Sequence, residues 1–257
     1  MNRISNAFKS KAFVGFLTAG DPTPDATAGF ILDMIAGGAD LIEIGIPFSD
    51  PVADGPAIER ANLRALEKGV TVDDVFEIVR KVREKDSATP LTFLSYLNPV
   101  FFYGYEAFFA KCAEVGVDGI IVPDIPFEES SEVTDIADKH GVAFVTLVAP
   151  NSAGRIGLIC KNSKGFVYLV SSLGVTGIRE ELELNVKPQI EAIRAVTDTP
   201  VAIGFGISKA EQAGEVCKYA DGVIVGSAIV ELIEKHGENA GEHLQKYISD
   251  IKGGISS

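Results

Sequence analysis

Short runs of β-branched and other apolar residues alternate with longer amphipathic stretches along the whole chain. The short runs predict strands, and the longer stretches, where apolar residues recur at helical spacing, predict helices. The predicted strands are residues 13–18, 41–45, 91–97, 119–122, 143–148, 166–170, 201–204 and 222–225. The helices predicted after them are residues 25–37, 73–85, 105–115, 129–140, 152–162, 187–196, 209–219 and 228–236. Further helices are predicted at 4–9, 56–66 and 241–251.

This alternation determines the fold class that we expect. Strands separated by crossover-length helices form parallel sheets, and eight repeats favour closure into a barrel over an open sheet. The glycine pattern that opens a dinucleotide-binding fold is also absent after the first predicted strand. The sequence therefore predicts an α/β protein, a (β/α)8 TIM barrel with extra helices, formed as a single domain by residues 1–257.

The composition limits which kinds of partner and which cellular compartment we expect for this protein. The formal net charge of -13 disfavours nucleic acid and anionic membrane surfaces as partners. We identify no apolar run long enough to span a bilayer and no signal peptide, and the three cysteines suggest neither disulfides nor a zinc site. We therefore expect a soluble protein of the reducing cytoplasm.

The catalytic chemistry can be narrowed by elimination, since a barrel of this kind carries its active site at the carboxyl ends of its strands. The three histidines lie on predicted helices or at their ends, and no cysteine lies near a strand end. No predicted strand contains a lysine, which argues against a Schiff base, and no cluster has metal-ligand spacing. Carboxylates, hydroxyls and backbone groups remain.

Glu43 is a charged residue in the middle of an otherwise apolar predicted strand. Strand alternation places Leu41, Glu43 and Gly45 on one face and Ile42 and Ile44 on the other. An inward Glu43 near the barrel mouth would have a raised pKa, as a general acid requires. The alternative is a structural glutamate paired with a buried partner.

Three aspartates are further candidates. Asp54 precedes Gly55 and Pro56, so by itself it reads as a turn residue or a helix N-cap rather than a catalyst. Asp50 also reads as a turn residue. Asp124, after the fourth predicted strand, remains a rival catalytic carboxylate.

Glycines follow the last two predicted strands. Residues 204–208 (GFGIS) and 225–230 (VGSAIV) each place glycine between a strand end and a helix start. Backbone N–H groups and a helix N-terminus in these two loops would form a phosphate site, although plain tight turns are the alternative. The residues placed to contribute are Gly206, Gly226, Ser227 and, from the long loop after the sixth strand, Gly177.

Aromatic and aliphatic residues at or near the strand ends could form an apolar pocket for a flat ring. We expect Phe93 and Leu94 to pack in the core instead. The full set is Phe16, Phe93, Leu94, Tyr96, Ile125, Phe127, Tyr168 and Phe205.

Five segments together resemble the α subunits of tryptophan synthase, in order and over nearly the whole chain. The resemblance implies a barrel that cleaves indole-3-glycerol phosphate to indole and glyceraldehyde 3-phosphate without a metal or a Schiff base. The segments are residues 16–22 (FLTAGDP), 42–66 (IEIGIPFSDPVADGPAIERANLRAL), 168–177 (YLVSSLGVTG), 204–208 and 225–230.

The resemblance assigns roles residue by residue. It implies that Glu43 and Asp54 are the catalytic carboxylates, and that Thr176 meets the strand-two loop near Asp54. It places the phosphate on Gly177, Gly206, Gly226 and Ser227, and the indole ring against Phe16, Tyr168 and Phe205. Ser172 stands where some relatives have arginine, which bears on how the loop of residues 171–185 closes.

The resemblance also implies a partner. A β chain would take up indole and join it to serine with pyridoxal phosphate, in an α2β2 complex, so this chain would need no cofactor of its own. We expect docking at the catalytic face, around Asp50 and Pro51 and around Asn98 and Pro99. The alternatives are a free-standing indole-releasing lyase, another phosphate-binding barrel isomerase or lyase, and a weakly active activator of the partner.

Overall fold

A computed structural model describes residues 3–171, 186–204 and 206–255. Eight parallel strands close into a barrel in chain order, and the first strand pairs with the last. The strands are β1 (Ala12–Thr18), β2 (Leu41–Gly45), β3 (Leu91–Leu94), β4 (Gly119–Ile121), β5 (Ala143–Val148), β6 (Lys164–Val170), β7 (Val201–Gly204) and β8 (Gly222–Val225). The predicted barrel is confirmed.

Helices surround the strands. They are α1 (Arg3–Ala7), α2 (Pro24–Ala36), α3 (Pro56–Glu67), α4 (Val72–Arg83), α5 (Leu97–Tyr103), α6 (Tyr105–Val115), α7 (Ser131–Lys139), α8 (Ile156–Cys160), α9 (Lys187–Arg194), α10 (Ala210–Cys217), α11 (Ser227–His236) and α12 (Gly241–Ile255). Among residues 3–171, 186–204 and 206–255, none of these helices has the length and apolarity that crossing a bilayer requires.

Local sequence explains where several helices begin and end. The Thr23 hydroxyl accepts from the backbone N–H of Ala26, and Pro24 follows at the first helical position of α2. Helix α4 begins with a capping box in which Thr71 and Asp74 satisfy each other's backbone N–H groups. These caps explain why the surface helices start close to their predicted bounds.

The apolar core has two layers. Outward-facing strand residues pack against the helices, while inward-facing residues such as Val14, Leu41 and Val145 fill the barrel. Ile4 of α1 packs with this inner cluster and is fully buried. Helix α1 therefore closes the barrel at its amino end, and access to the interior is left to the carboxyl ends of the strands.

The third strand is shorter than predicted. It ends at Leu94 rather than at residue 97, because helix α5 begins at Leu97. The backbone N–H of Leu97 donates to both carboxylate oxygens of Asp124, at 2.9 and 3.2 Å. A side chain from the β4–α7 connection thus caps a helix that the local sequence did not predict.

The sixth strand is longer than predicted and begins at Lys164, so the expectation that no strand contains a lysine is wrong. Lys164 lies at the amino end of β6, opposite the catalytic face, and its ammonium group is 2.6 Å from Asp138. Lys164 is the register partner of Val145, and the pairing of β5 with β6 is irregular between Val145 and Thr146. The lysine is structural, and the argument about the strand ends is unaffected.

Candidate active site

Glu43 points into the barrel, as strand alternation predicts. Its strand neighbour Leu41 belongs to the inner core, whereas Ile42 and Ile44 belong to the outer core. Glu43 is 1% exposed, and its Oε1 atom has no hydrogen-bond partner among the described residues. Burial, and secondarily the charge of Asp54, raise the pKa of Glu43 to about 8. The carboxyl group therefore holds a proton at neutral pH.

Asp54 lies half-buried at the end of the β2–α3 loop and is held by two side chains. The Asn62 amide donates to its Oδ2 atom at 3.0 Å, and the Tyr96 hydroxyl donates a second hydrogen bond. Burial raises the pKa of Asp54, while the hydrogen bonds from Tyr96 and Asn62 oppose that rise. The N-cap of α3 is Gly55, so Asp54 is not the simple helix cap that its sequence suggests.

Tyr96 links the strand-two loop to the end of β3. Its hydroxyl accepts the backbone N–H of Ala53 at 3.0 Å and donates to Asp54. Its ring is 2% exposed and lies 5.3 Å from the Phe48 ring, measured between centroids. The sequence placed Tyr96 only among pocket-lining candidates, whereas the structure makes it a support for Asp54.

Asn62 contacts the candidate site, and the sequence analysis missed it. It is 4% exposed and stands beside Ala61 on the buried face of α3. The available signal was a polar side chain on an otherwise small apolar helix face, eight residues after a candidate catalytic aspartate. Because a buried amide needs hydrogen-bond partners, that placement pointed to a specific acceptor nearby.

Phe16 and Tyr168 line the interior near Glu43. Phe16 is the register partner of Glu43, and its ring lies so close to Gly45 and Gly226 that Cβ atoms there would approach it to 2.7 and 3.2 Å. Tyr168 packs against the inner cluster. Burial, and then the charges of Glu43 and Asp54, hold the pKa of Tyr168 well above its usual value. Its hydroxyl therefore stays neutral and can donate a hydrogen bond.

The loops after β7 and β8 lie side by side, because Gly204 and Ile224 are register partners at the strand ends. Gly206 has a φ of 78°, a conformation that glycine adopts without strain. Gly226 is the N-cap of α11 and Ser227 is its first residue, and the N-cap glycine has no side chain that could bond the first amides of the helix. Backbone N–H groups and the positive end of a ten-residue helix are thus available to an anion at the barrel mouth.

The remaining candidates divide into three groups. Thr176, Gly177, Phe205 and Ser172 lie outside the described residues. Asp50 is exposed, and Asp124 caps α5, so the rival carboxylate has a structural partner. Ile125 and Phe127 line a crevice of about 900 Å³ in the outer wall, next to α7 and α8, and not the barrel mouth.

The two residues expected in the core both pack there. Phe93 faces outward and packs on Phe76 and Phe108, with ring centroids 5.7 and 6.2 Å apart. Leu94 is half-buried and packs against the inner cluster and against the cluster that contains Phe16. The expectation of core packing is confirmed for both residues.

Comparison with known proteins identifies the family. The family model described as "Tryptophan synthase alpha chain" matches residues 4–254. The chain belongs to this family. The tryptophan synthase alpha chain of Solibacter usitatus is 47% identical over 266 residues, covering 100% of this chain and 99% of the relative. That of Lacticaseibacillus casei is 44% identical over 253 residues, covering 98% and 95%.

Solved structures agree with the family. Tryptophan synthase subunit alpha from Legionella pneumophila has a TM-score of 0.91 at 36% identity, covering 100% of this chain and 99% of that one. A chain of the tryptophan synthase α2β2 complex from Pyrococcus furiosus has a TM-score of 0.88 at 40% identity, covering 96% and 99%. Tryptophan synthase alpha chains are lyases of tryptophan biosynthesis that cleave indole-3-glycerol phosphate to indole and glyceraldehyde 3-phosphate, and they need no cofactor of their own. The resemblance seen in the sequence is confirmed.

Proposed function

We propose that Glu43 and Asp54 are the acid–base pair of this cleavage. The observation that carries the proposal is a carboxyl group buried inside the barrel with a pKa of about 8, beside a second carboxyl group held by two hydrogen bonds. Two carboxyl groups whose surroundings differ in this way can serve as proton donor and proton acceptor at the same pH.

The proposed chemistry follows from the substrate. Protonated Glu43 donates its proton to indole C3, and Asp54 stabilises the positive charge that develops at the ring N–H. The carboxylate of Glu43 then takes the proton from the hydroxyl on the carbon attached to C3. The carbon–carbon bond breaks, its electron pair returns to the ring, and the aldehyde forms. The net result is one proton moved from the hydroxyl to C3, which one buried carboxyl group can accomplish.

We also propose where the substrate lies. The phosphate binds at the loops after β7 and β8, near the amides of Gly206, Gly226 and Ser227, with Gly177 as a further contact. The α11 N-terminus and the positive φ of Gly206 support this placement. The indole ring would lie among Phe16, Tyr168 and Phe205, since the first two line the interior near Glu43.

The partner that we propose is a tryptophan synthase β chain that carries pyridoxal phosphate, in an α2β2 complex. A group of exposed apolar side chains supports docking at the catalytic face: Val52 is 78% exposed, Phe101 65% and Phe102 90%. They lie beside the candidate contacts Asp50, Pro51, Asn98 and Pro99. Because Tyr96 bonds Ala53 and Asp54, a partner on the strand-two loop would also act on Asp54.

The compartment that we propose is the cytoplasm. Cys112, Cys160 and Cys217 are buried free thiols on α6, α8 and α10, which suits a reducing environment.

The test is an assay for indole released from indole-3-glycerol phosphate, with and without a tryptophan synthase β chain. Glu43→Gln should lower turnover at least ~10²-fold, the usual scale of general acid–base help. Asp54→Asn should impair cleavage while the substrate still binds. Near-normal indole release by Glu43→Gln would contradict the proposal.

Three other outcomes identify the alternatives. Indole release with no complex at micromolar concentration and no rise in rate on mixing indicates a free-standing lyase. Complex formation with negligible turnover indicates an activator. No indole under any condition indicates another phosphate-binding barrel enzyme.

A further inference from the structure

An ion-pair network joins the two helices that flank the proposed site. Helix α3 begins directly after Asp54 and Gly55 and carries Asn62, whose amide holds Asp54. Helix α11 begins at Ser227, directly after Gly226, and we place the phosphate at this helix end. Because α11 follows β8 directly, anything that fixes α3 relative to the barrel strands also fixes Asp54 relative to the bound substrate.

The buried face of α3 consists mostly of small side chains. Ala57, Ala61 and Ala65 form its buried face, and the first two pack with Phe16 and Val230. These alanines allow close approach but do not interlock with a neighbour, and Ile58 adds a partly buried apolar contact to the same cluster. Directional polar contacts therefore contribute to holding the helix in one position along its axis.

Arg64 supplies those contacts. Its Nε and Nη2 atoms donate to the two carboxylate oxygens of Asp21, at 2.9 and 2.7 Å, and its Nη1 atom donates to Glu234 at 2.8 Å. Asp21 is 2% exposed and lies just after β1, where its backbone N–H is bonded to Thr18. Glu234 lies on α11. One guanidinium group thus ties α3 both to the barrel and to the phosphate helix.

We infer that Arg64, through its paired hydrogen bonds to the buried Asp21, positions helix α3 and with it Asp54 for cleavage. Arg64 is a positioning residue, since it is Asn62 and not Arg64 that bonds Asp54. The inference rests on the proposed function of Asp54. It goes further by assigning part of the catalytic geometry to a salt bridge outside the site.

The same helix offers a matched control. Arg60 stands one turn before Arg64 and donates to both oxygens of Glu234, at 2.9 and 2.8 Å, but its remaining hydrogen bond goes to the Pro56 carbonyl. Arg60 therefore shares the partner Glu234 on α11 with Arg64, but it lacks the hydrogen bonds that Arg64 makes to the buried Asp21. Replacing each arginine with lysine keeps the charge and removes the paired hydrogen bonds.

The experiment measures indole release by R64K and R60K, and the binding of glycerol 3-phosphate to each. Because small misplacements of catalytic groups are costly, R64K should lower kcat about 10- to 100-fold. Its dissociation constant for glycerol 3-phosphate should stay within about threefold, since α11 keeps its packing against β1. R60K should retain kcat within about twofold.

A double variant separates positioning from general destabilisation. If Arg64 acts by placing Asp54, then N62A and R64K remove the same property, and N62A/R64K should be no slower than the worse single variant. The variant D21N/R64Q, which leaves no buried charge unpaired, replaces R64K if R64K does not fold.

Three results would overturn the inference: wild-type kcat in R64K, equal losses in R60K and R64K, or losses that multiply in N62A/R64K. D54N is measured in parallel. If D54N cleaves normally, the proposed role of Asp54 fails; if D54N is inactive while R64K is normal, only the role of Arg64 fails.

Discussion

Phe16 and Glu43 are register partners on β1 and β2, so an aromatic ring and a carboxyl group enter the barrel interior at the same level. Both are nearly fully buried, at 3% and 1% exposure. An apolar neighbour cannot solvate a carboxylate, which is consistent with burial being the main cause of the raised pKa of Glu43. The cost of keeping this group inside the barrel must therefore depend on pH.

The first prediction concerns stability. Burial raises the pKa of Glu43 from 4.5 to about 8. Between these values the unfolded chain releases a proton that the folded chain keeps, so the folded state loses stability as pH rises. At 1.36 kcal/mol per pH unit, the loss reaches about 5 kcal/mol near pH 8. The free energy of unfolding of Glu43→Gln relative to wild type should therefore increase between pH 4.5 and 8, as measured by urea titration. A difference that does not change with pH would contradict the raised pKa.

The second prediction concerns Asn62. Its hydrogen bond lowers the pKa of Asp54, so Asn62→Ala should raise that pKa and move the acidic limb of the kcat profile to higher pH. The loss of the bond should also lower kcat about tenfold at neutral pH. Rates measured from pH 5 to 9 test both effects. Asn162→Ala, an exposed asparagine on the outer wall, is the control; an unmoved acidic limb in Asn62→Ala would argue against the contact.

The fold followed from the sequence, because the alternation of strand and helix periods is a local property. The bounds of β2, β5, β7 and β8 agree with the prediction residue by residue. Helix α5 was missed because its residues, LNPVFFY, continue the apolar character of β3. Its start is set by Asp124, 27 residues later in the chain. A helix cap from so distant a residue cannot be predicted from the local sequence pattern.

The candidate site was predictable to a different degree for each residue. Glu43 stood out because a charged residue interrupts an apolar strand, and its inward orientation followed from alternation. Asp54 looked like a turn residue, and only the family resemblance favoured it. Its supports, Asn62 and Tyr96, come from a helix and from the end of a neighbouring strand. Those contacts exist only once β2 and β3 pair and α3 packs across the mouth.

The third prediction concerns the phosphate. Gly226→Val would place a branched side chain where the backbone should approach the anion, and its Cβ atom would lie 3.2 Å from the Phe16 ring. We expect KM to rise about tenfold or more, with a smaller change in kcat, because a binding contact is lost. Gly29→Val on α2, where a Cβ atom meets nothing within 4 Å, is the control. Glycerol phosphate bound elsewhere in a crystal would refute the placement.

The fourth prediction concerns Thr18 at the end of β1. Its hydroxyl is buried and has no partner among the described residues, which destabilises the folded state. Thr18→Val removes the hydroxyl and keeps the shape, so the melting temperature should rise by about 2–4 °C. Thr92→Val is the matched control, since the Thr92 hydroxyl donates to the Ile42 carbonyl at 3.4 Å. A lower melting temperature for Thr18→Val would show that the hydroxyl is satisfied in solution.

The position of the Phe16 ring between Gly45 and Gly226 also constrains how this pocket can evolve. A Cβ atom at Gly45 would collide with the ring at 2.7 Å, and one at Gly226 would make a tight contact with it at 3.2 Å. A smaller residue at position 16 would relieve both contacts at once. Lineages that acquire a larger residue at position 45 should therefore have lost the phenylalanine first, so the order of the substitutions is constrained by packing.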